Sequence, residues 1–453
     1  MKNYICGKCK REFNSKASLK KHKETVCFKR EKFAFNILAA FLIFSVLFIL
    51  LSVHSVHALS FPSGITNYVA LNISNSQSTA TPNPFQQMIN VTSSDSGWTY
   101  INTNQTTAFG ENVEFFYANG TIIPSWLENY TSGHALWWVK TGSIAASSTL
   151  TIYMGFANKT TNLFNNKTTG EAPQLSSTYA EYDDGANVFT NYWNFAGTAL
   201  PTGWTSLAQT DVAITIDNGI TVNNTDTSAT SLEQVAYYNT TVTPSVEDFL
   251  VTSSSFGTSN VGVGYTTSTP VTTNQPPNTV EGALGSDTNN TRAFAINPSG
   301  DLSGTIGATV GTSGIVSTIW TNSSAVTATY DYGDATTETT DVPTYGSAYM
   351  VLMTQFSTSY TLQWLRTRAY PPSGVMPSVS FGSVQSTAAI TLYLNGVSNA
   401  NVTITYGTES NFTAVMTSST DYVSLYVNGT KVKVILPALH APKPIYEFAI
   451  VGA

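Results

Sequence analysis

The sequence predicts a mainly β protein, with a multi-domain outer region of β-sandwiches behind a small ββα module and one transmembrane α-helix at the N-terminus. Three observations carry that reading. All three cysteines, Cys6, Cys9 and Cys27, fall in the first 27 of 453 residues. An uncharged apolar run follows over 33–53. Beyond it, short runs such as 150–154 and 212–216 alternate with turn residues while helical periodicity nearly vanishes, which excludes a doubly wound α/β enzyme fold.

The N-terminal segment reads Tyr4-x-Cys6-x2-Cys9-x3-Phe13-x5-Leu19-x2-His22-x4-Cys27. It resembles the two-cysteine, two-histidine zinc finger with its last histidine replaced by cysteine. The resemblance implies a finger over 1–32 in which Cys6, Cys9, His22 and Cys27 hold zinc around a core of Phe13 and Leu19. So short a segment cannot offset its conformational entropy by apolar burial, so the metal would supply most of the stability. A reducing compartment favours a metal site over disulfides. Ser15, Ser18 and Lys21 align with the helix positions that contact bases in DNA-binding members. One finger covers about three base pairs, too few for specific binding without a second module. Nucleic acid is therefore not the expected partner. Eleven basic residues against three acidic ones within 1–32 suit anionic lipid headgroups instead.

The run over 33–53 carries only Asn36, Ser45 and Ser52 as polar residues, and about twenty helical residues span a bilayer core. Basic residues on its N-terminal side place the finger in the cytoplasm and everything past residue 58 outside, as a signal anchor in the cell membrane. The alternative is cleavage after Ala58, where Val56-His57-Ala58 has small-residue character, giving a secreted protein. An apolar run longer than a signal-peptide core favours the anchor.

Beyond the membrane segment stand nine basic and 24 acidic residues, a formal charge of −15, and no cysteine. Disulfide stapling is excluded, so hydrophobic cores must hold this part, with glycans or calcium as aids. Overall charged content is only 10%, but aromatic and aliphatic content is too high for a mucin-like stalk. Acceptors of the form Asn-x-Ser/Thr recur at Asn72, Asn90, Asn104, Asn119, Asn129, Asn158, Asn166, Asn223, Asn239, Asn289, Asn322, Asn401, Asn411 and Asn428, all beyond the membrane segment, as in an exposed glycoprotein.

Val113-Glu114-Phe115-Phe116, Ile123-Pro124-Ser125-Trp126-Leu127-Glu128, Ala135-Leu136-Trp137-Trp138-Val139-Lys140 and Thr151-Ile152-Tyr153-Met154-Gly155 resemble the prokaryotic surface family called domain of unknown function 2341. The resemblance implies an extracytoplasmic β-sandwich over 59–175, and brings no activity. The stretch 176–385 opens with Glu181-Tyr182-Asp183-Asp184-Gly185 and closes past Arg366-Thr367-Arg368. In position and length it is similar to a concanavalin-like jelly roll of the lectin and glucanase type. Glucanases of that class set catalytic carboxylates on alternate residues of one strand; no Glu-x-Asp-x-Glu run occurs here. Glu181, Asp183 and Asp184 form an oxygen-rich run that could hold calcium. Trp137 and Trp138 are adjacent, so alternation turns one of them inward. From 386 to 453 the repeated Leu-Tyr-x-Asn-Gly, at 392–396 and 425–429, predicts two hairpins of a partial immunoglobulin-like domain.

His134 and His440 stand in no catalytic motif, and there is no G-x-S-x-G elbow. The expectation is a membrane-anchored surface glycoprotein that binds glycans or other surface proteins in adhesion or envelope structure, and no enzyme. The alternatives are a surface glycan hydrolase and a transmembrane regulator whose finger binds nucleic acid.

Overall fold

A computed structural model describes residues 3–7, 9–24, 59–104, 108–207, 209–226, 232–255, 260–273, 275–285, 290–311, 313–355, 357–394, 397–405, 410–415, 423–427, 430–435 and 445–450. The chain forms two compact units, 1–57 and 58–453. Cys27, the apolar run over 33–53, Asn289 and Asn428 lie outside the described residues. Among those described, no helix is long and apolar enough to cross a membrane.

In the first unit β1 (Tyr4–Ile5) pairs antiparallel with β2 (Glu12–Phe13), and α1 (Lys16–His22) follows. The Ser15 hydroxyl accepts from the Ser18 amide at 3.2 Å and caps the helix start; Lys20, Lys21 and His22 occupy its last turn, where cations suit the helix dipole.

The second unit begins with β3 (Asn67–Asn75), β4 (Phe85–Thr92), β5 (Val113–Phe116), β6 (Ser125–Thr131), β7 (His134–Thr141), β8 (Ser148–Phe156) and β9 (Thr169–Glu171). A one-turn helix, α2 (Gly185–Val188), and short β10 (Asn191–Trp193) and β11 (Trp204–Ser206) lead onward. Next come β12 (Val212–Ile216), β13 (Ile220–Asn224), β14 (Glu233–Tyr238), β15 (Val246–Ser255), β16 (Asn260–Thr266), β17 (Thr279–Gly285) and β18 (Asn290–Ile296). They are followed by β19 (Leu302–Thr309), β20 (Gly314–Asn322), β21 (Ala325–Tyr330), β22 (Ala335–Glu338), β23 (Tyr349–Thr354) and β24 (Thr358–Arg368). The chain continues through β25 (Ser378–Leu394), β26 (Val397–Thr405), β27 (Ser410–Val415), β28 (Val423–Val427), β29 (Thr430–Ile435) and β30 (Ile445–Ile450).

Among the described residues this unit has five sheets, four of which stack as two sandwiches while β27 pairs with β30 in the fifth. The first runs β29-β28-β25-β3-β8-β5 and the second β4-β7-β6-β9; Val69, Leu71, Phe85, Phe115, Leu127, Trp137 and Ile152 fill the layer between them. The third runs β12-β13-β24-β15-β20-β21-β22 and the fourth β11-β14-β23-β16-β17-β18-β19, closed over Phe249, Tyr265, Trp320, Leu352 and Leu362. A further buried layer, holding Trp126, Trp138, Phe189 and Trp364, joins the second sheet to the third.

The boundary expected between 59–175 and 176–385 is therefore not a simple one. Ser378 to Ser386 of β25 pair with β3, from Ser74 back to Asn67. The first sandwich is completed by a strand beyond the second, which is inserted into it. Period-2 patterning at 378–381 marks a strand but says nothing about its partner. The two expected hairpins are present in the backbone: Leu394 pairs with Val397 and Val427 with Thr430 across two-residue connections.

Candidate functional site at the sandwich junction

Alternation along β7 sends Ala135, Trp137 and Val139 into the first sandwich and Trp138 the other way. The expectation of one inward tryptophan is met, yet Trp138 is fully buried too, because the second sandwich covers the face that a free-standing sheet would leave to water. Arg366, on the outward face of β24, enters this layer with no exposed surface. Its Nη2 donates to Glu128 Oε2 at 2.7 Å and its Nε to Asp248 Oδ2 at 3.0 Å. The guanidinium carbon lies 4.3 Å from the Phe189 ring centroid, 4.6 Å from Trp364, 4.7 Å from Trp138 and 5.1 Å from Trp126. Nη1 has no hydrogen-bonding partner, so ring faces take the place of an acceptor there. Arg368 donates from Nε to Asp248 Oδ2 at 2.8 Å.

Burial works against the Arg366 charge, but Tyr332, Glu128 and Asp248 outweigh it and hold the guanidinium above its ordinary value. Burial likewise opposes ionised Asp248, and Arg368 and Arg366 overcome it to keep that carboxyl low. At Glu128 burial prevails and raises the carboxyl against Arg366 and the Tyr332 and Trp138 donors. The network thus ties Glu128 of the first sandwich to Asp248, Tyr332 and Arg366 of the second. None of these four was singled out by sequence reasoning as a site. The available signal was the scarcity of basic residues beyond residue 58, two of them in Arg366-Thr367-Arg368.

Asp183 sits in the same layer. It accepts from Trp126 Nε1 at 2.9 Å, Asn194 Nδ2 at 2.7 Å, the Tyr192 hydroxyl at 2.9 Å and the Gly185 amide at 3.0 Å. Asp184 bonds Asn187, and burial raises its carboxyl to about 7; Glu181 is exposed. The three carboxylates do not converge as a cation site: among the described residues only Cys6, Cys9 and His22 bring three ligand atoms within 4.8 Å of one another. Asp183 is a structural acceptor that fixes the entry to the second sandwich.

In the first unit Cys9 Sγ lies 3.0 Å from His22 Nε2 and Cys6 is buried. Phe13 is half-buried, with its ring centroid 4.8 Å from that of His22, and Leu19 is half-buried. Ser15, Ser18 and Lys21 are exposed, but Ser15 and Ser18 are occupied by the helix cap. Of the glycosylation candidates, Asn72, Asn90, Asn104, Asn119, Asn158, Asn166, Asn223, Asn239 and Asn322 are exposed, and Asn129 is half-buried. Asn401 and Asn411 lie in β26 and β27.

One carboxylate on the fourth sheet has no counterpart. Glu281 of β17 lies over Gly262, where a Cβ would fall 1.8 Å from Oε1. Both its oxygens are buried without a partner, and burial alone raises it to about 8. The 267–278 connection reaches across to β14, with Val271 N donating to Gln234 Oε1 at 3.0 Å and Gln275 N to Leu232 O at 2.9 Å.

The family described as domain of unknown function (DUF2341) matches residues 109–207, so the likeness expected over 59–175 starts later, at 109, and runs on through α2, β10 and the Asp183 acceptor site into β11. Uncharacterized protein 562 of Sulfolobus islandicus rod-shaped virus 1 is 36% identical over 140 residues. That match covers 29% of this chain and 22% of the viral protein, so the chain spans about a fifth of that relative. Among solved structures, a beta-1,3-1,4-glucanase (lichenase) from a mouse hindgut metagenome shares 12% identity over 40% of this chain and 98% of its own, with a TM-score of 0.30. The laminarinase catalytic domain from Thermotoga maritima shares 8% over 39% and 96%, with a TM-score of 0.29. At these values the likenesses carry no argument about activity.

Proposed function

We propose that the region beyond residue 58 is a cell-envelope binding protein that contacts glycans without cleaving them. The fate of its buried carboxylates is the observation that carries this reading. Glycoside cleavage uses two carboxyl groups flanking one bond, about 5–5.5 Å apart in retaining and about 6.5–9.5 Å in inverting enzymes. Asp183 is held by four protein donors, and Asp248 and Glu128 by arginine. Glu281 is raised by burial with no charged neighbour contributing. Glu247 and Asp248 are consecutive on β15 and so face opposite sides of their sheet. Glycan contact is supported by a surface poor in charge and by half-exposed rings such as Tyr237 and Tyr349, 5.9 Å apart on neighbouring strands. Purified protein incubated with cell-envelope polysaccharide should be retained on it and release no reducing sugar. Sugar release that disappears in Asp183→Asn or Asp184→Asn would establish the hydrolase instead.

The anchor over 33–53 belongs to the same proposal, with the finger on the cytoplasmic side; a mature N-terminus at Leu59 in isolated membranes would overturn it. Zinc at Cys6, Cys9 and His22, with Cys27 as fourth ligand, is supported by the convergence of the first three. The full chain is expected to carry about one zinc per molecule by metal analysis, and Cys9→Ser to lose it to a chelator that leaves the parent loaded.

A further inference from the structure

We propose that a cavity beside the junction network is a pocket for one acidic pyranose, a uronic-acid residue of a glycan; the assignment rests on the glycan-binding reading above. The cavity measures about 180 Å³, room for about six waters at about 30 Å³ each and below the roughly 300 Å³ at which pockets for larger ligands begin. A single sugar ring fits that size. Trp138, Tyr332, Tyr370 and Met376 line it with Thr329 and Arg368. The Arg368 guanidinium carbon lies 5.0 Å from the Trp138 centroid and 5.8 Å from that of Tyr332, so Tyr370 and Met376 are what the C–H side of a pyranose would meet, with the Thr329 hydroxyl at its edge.

The wall is shaped by local backbone. Tyr332 turns in with φ +60° after β21. Gly374 has φ +75°, and a Cβ there would fall 2.6 Å from the Tyr370 hydroxyl, so a side chain would press against one face of the cavity.

Arg368 supplies the charge. Its side chain is only 8% exposed. Nε and Nη2 are directed at Asp248, at 2.8 and 3.3 Å, and that same carboxylate also accepts from Arg366. Arg366 has Glu128 as a second partner, whereas among the described residues Arg368 pairs with Asp248 alone, through Nε and Nη2 and with no hydrogen bond from Nη1. A nearly dry cation with an unused donor edge favours a carboxylate ligand over a neutral hydroxyl.

Calorimetric titration of the full chain in detergent at low salt, with sodium glucuronate, glucose and acetate as separate probes, tests the assignment. Glucuronate is expected to bind about tenfold or more tightly than either glucose or acetate. Thr329→Trp fills the cavity from outside the ion-pair network and is expected to abolish binding without changing the melting temperature. Equal binding of glucose and glucuronate, binding undiminished in Thr329→Trp, or no glucuronate binding would each overturn the pocket. Polysaccharide retained while glucuronate fails leaves glycan binding standing and removes this site; loss of both removes both.

Discussion

Replacing Arg366 with leucine is expected to lower the unfolding free energy of the second unit by about 3–5 kcal/mol, measured by denaturant titration. The loss comes from what remains behind. Glu128 and Asp248, buried and once bound to the guanidinium, would keep desolvated charge with fewer donors, and four aromatic rings would lose their shared cation. Adding Glu128→Gln to the leucine variant should recover part of the deficit, because it removes the stranded carboxylate. A cost under about 1 kcal/mol for Arg366→Leu would mean that the network contributes no more than a surface pair. The same variant should loosen the join between the two sandwiches, appearing as a broadened or split unfolding transition.

Stability of the second unit is expected to fall between pH 5 and pH 8. Burial raises Glu281 to about 8, and Glu114, Glu171 and Asp184 to about 7, in each case with burial as the largest cause. Below the ordinary carboxylate range these groups are protonated whether the chain is folded or not. Above it the unfolded chain ionises freely while the folded chain keeps its protons, so stability declines as pH climbs through the raised values. At about 1.4 kcal/mol per pH unit, Glu281 alone contributes on the order of 4 kcal/mol by pH 8. Asp248 works in reverse, its contribution lost only as pH falls through its lowered value. Glu281→Gln should flatten the decline and raise stability at pH 8. An unchanged pH profile in that variant would show that Glu281 does not govern it.

The ββα order of the N-terminal segment, the β-rich region beyond residue 58 and the two late hairpins were legible because each is local: ligand spacing, period-2 alternation and Asn-Gly turns act within a few residues. The junction was not. Glu128 and Arg366 are 238 positions apart, and nothing in either segment names the other. Trp138 reads as the solvent side of a strand until a second sheet is laid over it. The acidic run at 181–184 reads as oxygen ligands, whereas Trp126, Tyr192 and Asn194 arrive from elsewhere to claim Asp183. Low-charge sequences hide such sites, since a structural ion network and a functional one draw on the same few residues.

The pairing of β3 with β25 sets a timetable for biosynthesis. About 300 residues separate these partners, and closing so long a loop in a floppy chain is slow as well as entropically unfavourable. Asn191 of β10 pairs with Thr367 of β24, so once the inserted sandwich has formed, the way in and the way out stand side by side and the remaining gap is short. The first sandwich must therefore wait for the second, with β3 exposing an unsatisfied edge on the nascent chain. Truncation just before residue 378 should leave a folded insert attached to an aggregation-prone, incomplete neighbour.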